Sequence, residues 1–334
     1  MDISVNIRYY SYSQKVLRRI RVLEIIIARN RLKESIRELF LSWGFTEVET
    51  PTLIPYCNPD DNVENVRAEF KDFQGKKHTW FLHTSPEFFM KRLIWLGAEK
   101  IFQIAKVFRS GEITLLHQVE FTMVEWYRVG EDLKKGMEET EEIVKRGAEE
   151  FGVKEITFRG NRASLKEFKR ISVKEAFEEF AGVNVLDREQ VIKISGEKDY
   201  ESAFFKLLVD RVEPKLAQLP HPVFLFGYPE EFSAMAEVEN GIAQRFELYV
   251  AGVELANGYT ELRDYESYRK KFEEKGICAL DKGFLELLKR KPLPKCEGVA
   301  LGFDRLLMLL LGKENLEEVI SFSTSKILKE LPSS

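Results

Sequence analysis

The chain has 334 residues, 44% of them hydrophobic and 32% charged, with a net charge of −4. That length can bury a large core, as one big domain or a domain with an insertion, and the near-balance of charge excludes a general attraction to nucleic acid or membrane. Cys57, Cys278 and Cys296 form no CxxC pair and His78, His83, His117 and His221 no HxxxH spacing, which argues against a disulfide framework, a thiolate site or a structural zinc.

The N-terminal segment, residues 1–30 with the adjoining Arg31, is basic: Lys15, Arg18, Arg19, Arg21, Arg29 and Arg31 outnumber Asp2 and Glu24. It reads as a solvated helix face ahead of a docking surface for an acidic partner. Leu32, Ile36, Leu39, Phe40 and Trp43 then recur at helical spacing and stop at Gly44, which predicts an amphipathic helix over 31–43. FTEVETP follows as an extended segment ended by Pro51. A second helix, capped by Thr84 or Ser85, opens with Pro86, carries Glu87 in its first turn and stops near Gly97. IFQIAKVF (101–108) and VEFTMVEWY (119–127) predict paired antiparallel strands.

From about 131 to 220 charged helices take over, one opened by the capping box Ser172 to Glu175, and a helical insertion beside the core is expected. RFELYVAGVELANGY (245–259) predicts a hairpin around Ala251-Gly252. VALG (299–302) runs into FDRLLMLLLG, a strand turning directly into a buried helix. The longest apolar runs, such as Leu306 to Leu311, are too short to span a bilayer, and the start lacks a signal-peptide layout. A cytoplasmic protein without membrane contact is expected.

Period-two geometry puts Phe121, Met123, Glu125 and Tyr127 on one strand face, either a binding face or a core face with one salt-bridged glutamate. In the hairpin Tyr249 is expected to face Glu254 and Glu247 to face Ala256. Glu247 and Glu254 then become diagonal neighbours that suit Mg²⁺ beside phosphates, or are two solvent-facing glutamates; Asn257 falls on the opposite face unless Gly258 breaks the alternation. Arg305 lies in the first turn of a helix, where an anion is favoured; a structural pair with Asp304 reads equally well.

FRSGEITLLHQVEFTMVEWYR and GVALGFDRLLMLLLG resemble motifs 2 and 3 of class II aminoacyl-tRNA synthetases, and RLKESIRELFLSWGFTEVETP is similar to motif 1, the dimer element of that family. TSPEFFMKRL, YPEEFSAMA and ELANGYTELRD resemble its lysyl branch, over roughly residues 31 to 325. The resemblance implies an α+β fold, an antiparallel sheet flanked by helices, in a catalytic domain over 31–330, and a homodimer through the motif 1 region. It implies Arg109 on the α-phosphate and Arg305 on the γ-phosphate as the catalytic pair, Phe121 stacked on adenine and His117 near the phosphates of ATP. Glu247 and Glu254 are implied to carry Mg²⁺. Glu87, Glu125, Tyr127, Asn257, Tyr259 and Glu261 are implied to form the amino-acid pocket, whose acids fit a substrate with two amines. Where the lysyl family has Arg-Asn-Glu, the chain has Arg109-Ser110-Gly111-Glu112, which moves the adenine-edge contact to Glu112 or to backbone. His-Asn-Pro-Glu-Phe likewise becomes His117-Gln118-Val119-Glu120-Phe121.

Bacterial lysyl-tRNA synthetases carry an N-terminal anticodon-binding barrel, for which a motif 1 beginning at about residue 31 leaves no room, so no such domain and no tRNA partner are expected. A catalytic core alone, with Ala256 in ELANG where lysyl synthetases usually have glycine, resembles the elongation factor P–lysine ligase family. Its members activate (R)-β-lysine as an adenylate and pass it to a lysine ε-amino group of elongation factor P. Three alternatives are a truncated enzyme charging tRNA, a small-molecule amide ligase and a non-catalytic ligand-binding paralogue. Ala256 leaves α-lysine and β-lysine open, since one methyl discriminates by only about 1–3 kcal/mol.

Overall fold

The computed structural model describes residues 14–58, 63–111, 113–274 and 280–330, with side chains from residue 22 onward. Among the described residues the centre is a nine-stranded sheet. Its strands in chain order are β1 (Thr46–Glu47), β2 (Lys100–Phe108), β3 (Glu120–Val129), β4 (Lys169–Ser172), β5 (Val223–Pro229), β6 (Val238–Glu239), β7 (Ile242–Val250), β8 (Val253–Thr260) and β9 (Cys296–Gly302). They lie in the order β1-β2-β3-β9-β8-β7-β5-β4, with β6 on β7. The outermost pairs, β1 with β2 and β4 with β5, are parallel, and the pairs between them are antiparallel. The chain is thus α+β, as expected.

Alternation gives the sheet a back and a front. On the back, Val124, Trp126, Phe246, Leu248 and Leu301 join one core with three helices: α1 (Gln14–Ser42), α3 (Leu133–Phe151) and α6 (Phe303–Leu310). Leu32, Ile36 and Phe40 of α1 are fully buried, and Phe40 stacks on Phe102 at 4.5 Å. Gly44, at φ 77, supplies the left-handed residue that ends this helix. The helix is already formed at Gln14, ahead of 31, because residues 14–30 hold no glycine or proline to stop it. Arg29 is no solvated cation: it pairs with Asp304 and donates to the Val319 carbonyl and to Thr122. Arg31 pairs with Glu150. The side chains of Lys15, Arg18, Arg19 and Arg21 lie outside the described residues, as does Asp2.

The stretch 131–220 divides. Met137, Ile143 and Val144 of α3 belong to the main core, while β4 extends the sheet at its edge. Phe177, Phe204, Leu208 and Leu216 form a second core against Leu225 of β5 and Tyr249 of β7, so a helical layer covers the front of these two strands. A third core joins α2 (Glu87–Trp95), α5 (Tyr265–Glu274) and the helix Lys282–Arg290 to Ile101 and Tyr127.

Two expectations need correction. Ala251 (φ 49) and Gly252 (φ 86) do make the β7–β8 turn and Tyr249 does face Glu254, but a bulge follows. Leu248 pairs with Ala256 and Glu247 with Asn257, so Asn257 stands on the face of Glu247. Cys57 is disulfide-bonded, Cys296 is a buried free thiol, and Cys278 lies outside the described residues. Sequence spacing is silent on which cysteines a fold brings together. No helix among the described residues is long and apolar enough to cross a membrane.

Candidate active site

The front of β3, β8 and β9 floors a cavity of about 240 Å³. Arg109, His117, Phe121, Glu254, Asn257 and Arg305 all line it. Arg109 follows directly on β2, its backbone N–H bonded to the Val119 carbonyl, and its guanidinium lies 5.3 Å from the centre of the Phe121 ring. Its Nε is buried and makes no hydrogen bond, as is true of the Asn257 amide oxygen. A buried donor and acceptor left unmet in one cavity are poised for a polar ligand. Arg305, in the first turn of α6, reaches back across the cavity, donating to the carbonyls of Leu116 and Glu254 and meeting His117. The Asp304 pairing is excluded: Asp304 is held by Arg29 and by the Thr122 backbone N–H. Glu112 lies outside the described residues.

Four residues along β3 from Phe121, on the same face, Glu125 opens an acidic pocket. It accepts from Ser85 Oγ at 2.6 Å and from Tyr127 Oη at 2.8 Å, and makes no ion pair among the described residues. Burial, and then the charge of Glu87, push its carboxyl up to about 8. Glu87 and Glu261 share one fully buried ammonium, Lys91 Nζ, 2.5 Å from each, which also donates to Tyr268 Oη. Burial also raises Glu261, to about 8, with Lys91 opposing it. Three carboxylates therefore surround one cation. Gly298 on β9 keeps this pocket open, since a Cβ there would lie 2.1 Å from Glu261 Oε1 and 2.5 Å from the Tyr127 ring.

Glu247 and Glu254 are unequal. Glu247 accepts from Tyr228 Oη and Tyr249 Oη, each at 2.7 Å, and pairs with Arg245. Glu254 is half-exposed, with Arg305 3.9 Å away. Its carboxyl is raised by the surrounding protein and then by Glu247. Tyr259 bridges the two regions, pairing with Gly298 on one side and Arg245 on the other.

A model of the family of class II tRNA synthetases (D, K and N) matches residues 4–326. The chain belongs to this family. Within it, the elongation factor P–(R)-β-lysine ligase homolog of Aquifex aeolicus is 38% identical over 306 residues, which cover 88% of this chain and 98% of that one. The elongation factor P–(R)-β-lysine ligases of Avibacterium paragallinarum and Actinobacillus succinogenes are 33% and 32% identical, each covering 90% of this chain and 95% of the relative. The protein is accordingly an ATP-dependent ligase of the lysyl-tRNA-synthetase-like kind.

Set against that family, the expected residues divide between the cavity, the acidic pocket and the Glu247 pair. Ala256 belongs to the main core and also borders the cavity, so its methyl is not simply a pocket group. Sequence reading missed Lys91, although Glu87 and Lys91 stand four apart in a helix, the spacing at which opposite charges meet. It also missed Gly298 and Tyr268, which no local pattern marks.

Proposed function

We propose that the protein activates lysine or (R)-β-lysine with ATP as an aminoacyl-adenylate and transfers it to a lysine ε-amino group of elongation factor P. The observation that carries this reading is one sheet face holding both an acidic pocket short of positive charge and, beside it, a cavity walled by two arginines. Two ammonium groups on one substrate would bring three carboxylates and Lys91 to neutrality, which a monoamino acid does not. The names of the relatives support elongation factor P as acceptor.

In the first step a substrate carboxylate oxygen attacks the α-phosphorus in line and the bond to pyrophosphate breaks. Arg109 and Arg305 would hold and neutralise the phosphates, and no protein nucleophile is required. Phe121 offers a plate for the adenine ring. In the second step the acceptor amine attacks the acyl carbon, the acyl–phosphate bond breaks, AMP leaves and the amine gives up its proton.

Among the described residues no three His, Cys, Asp or Glu side chains are arranged to hold a metal ion. Mg²⁺ fits here nonetheless, because it binds through one or two carboxylates plus substrate phosphates. Glu247 and Glu254 would hold it, and it would supply further neutralisation of phosphate charge. Exposed Leu41 within motif 1, with Leu23, Ile26 and Ile27 just ahead of it on α1, supports a homodimer through the motif 1 region, and a cytoplasmic location suits the proposed acceptor.

The test is intact-mass spectrometry of unmodified elongation factor P after incubation with the enzyme, ATP, Mg²⁺ and each lysine isomer. A gain of one lysyl residue is expected. No gain with any isomer sinks the proposal.

A further inference from the structure

Arg29 lies just ahead of motif 1, yet its guanidinium reaches three separate segments around the cavity. Nη1 pairs with Asp304 Oδ1 at 2.5 Å and donates to the Val319 carbonyl at 3.0 Å, and Nη2 donates to Thr122 Oγ1 at 3.1 Å. The guanidinium also lies 5.1 Å from the centre of the Phe303 ring. Asp304 is 1% exposed, and its other oxygen accepts the Thr122 backbone N–H at 2.7 Å.

Thr122 follows Phe121 on β3, and Asp304 precedes Arg305 in the first turn of α6. Phe121 and Arg305 both line the cavity. Arg29 and Asp304 together therefore clamp the strand that carries the ring to the helix that carries the phosphate-facing guanidinium. A second guanidinium suits this task, since its planar fork of donors is rigid and always charged. Without it the buried Asp304 carboxylate loses its counter-charge, which is strongly unfavourable, and the first turn of α6 would shift to relieve it. Such a shift takes Arg305 away from its place opposite Phe121.

We propose that Arg29 is a positioning residue for nucleotide binding: through Asp304 and Thr122 it fixes the separation between the Phe121 ring and the Arg305 guanidinium. The proposal rests on the reading of Phe121 as the adenine plate and Arg305 as the γ-phosphate ligand. Arg29 therefore matters for a ligand that spans both ends of the cavity. A ligand confined to the adenine end, held by Phe121 and Arg109 on the β2–β3 pair, is indifferent to it.

The test is calorimetric titration with α,β-methylene-ATP and with AMP, each with Mg²⁺, of the wild type, Arg29→Met, Arg29→Lys, Arg305→Ala and the Arg29→Met/Arg305→Ala double variant. Arg29→Met is expected to weaken the ATP analogue about tenfold, the scale of one misplaced charge-assisted bond, and to leave AMP within about twofold. Arg29→Lys keeps the charge but not the fork, and a loss of about threefold for the analogue alone is expected. In the Arg305→Ala background Arg29→Met should add nothing, because the residue through which it acts is gone. A merely structural role would weaken both ligands alike. Equal losses for the two ligands, no loss for the analogue, or additive losses in the double variant overturn the proposal. If Arg29→Met does not fold, an Arg29→Lys variant with the wild-type ratio of the two affinities overturns it instead. A wild type that binds neither ligand, or Arg305→Ala that binds the analogue as the wild type does, overturns the reading of the cavity itself, and the role of Arg29 with it.

Discussion

Arg305 Nη2 lies 2.8 Å from His117 Nε2, joining the helix of motif 3 to the connection within motif 2. A guanidinium has only donors, so Nε2 must accept and the imidazole proton resides on Nδ1, which faces Thr114 Oγ1 at 2.8 Å. His117 therefore holds Arg305 in place across the cavity.

Replacing Arg305 by alanine should abolish ATP–pyrophosphate exchange, a loss of about 10³-fold or more, without moving the melting temperature by more than a few degrees. His117→Ala frees Arg305 rather than removing it, and about a tenfold loss in kcat/KM for ATP is expected, roughly 1.4 kcal/mol. Undiminished exchange in the Arg305 variant contradicts its assignment.

Among the described residues Glu125 makes no ion pair, so Glu125→Gln should raise the KM for the diamino substrate at least about 100-fold, near the cost of an unpaired buried charge on the ligand. ATP binding should be untouched. An unchanged KM would place the substrate ammonium elsewhere.

Substrate binding should release protons at neutral pH. Glu125 is raised from 4.5 to about 8, so it is largely protonated in the free pocket at pH 7, and an arriving ammonium favours the carboxylate. Affinity should rise between about pH 6 and 8. The stability contribution has the opposite trend: it is full below 4.5, is lost as pH rises through about 8, and is partly restored by a diamine ligand. Titration calorimetry at pH 7 in two buffers of different ionisation heat should show a net release of one to two protons, since Glu261 is raised to about 8 as well. Proton uptake contradicts the assignment.

Lys91→Met leaves Glu87 and Glu261 facing each other in a buried pocket. A loss of about 3–5 kcal/mol is expected in denaturant unfolding, as for other broken buried pairs. The loss should be smaller at pH 5 than at pH 8, because protonation of the two acids relieves the repulsion. A pH-independent loss would point to packing alone.

Much of the site was legible because strands write their faces into alternation: Phe121, Glu125 and Tyr127 were grouped from spacing alone. The hairpin register failed by one residue past Tyr249, since a bulge leaves no mark in a sequence rich in strand formers. Helix α1 was started too late because hydrophobic periodicity shows only the part that packs, while Arg29 is held by Asp304 from the far end of the chain.

The central claim is tested most directly by ATP–pyrophosphate exchange with α-lysine, (R)-β-lysine and (S)-β-lysine side by side. The account predicts exchange well above background with the lysines, fastest with (R)-β-lysine, and none with norleucine, which has the same chain and a single amine. Exchange with norleucine equal to that with lysine, or none with any of the three isomers, would contradict it.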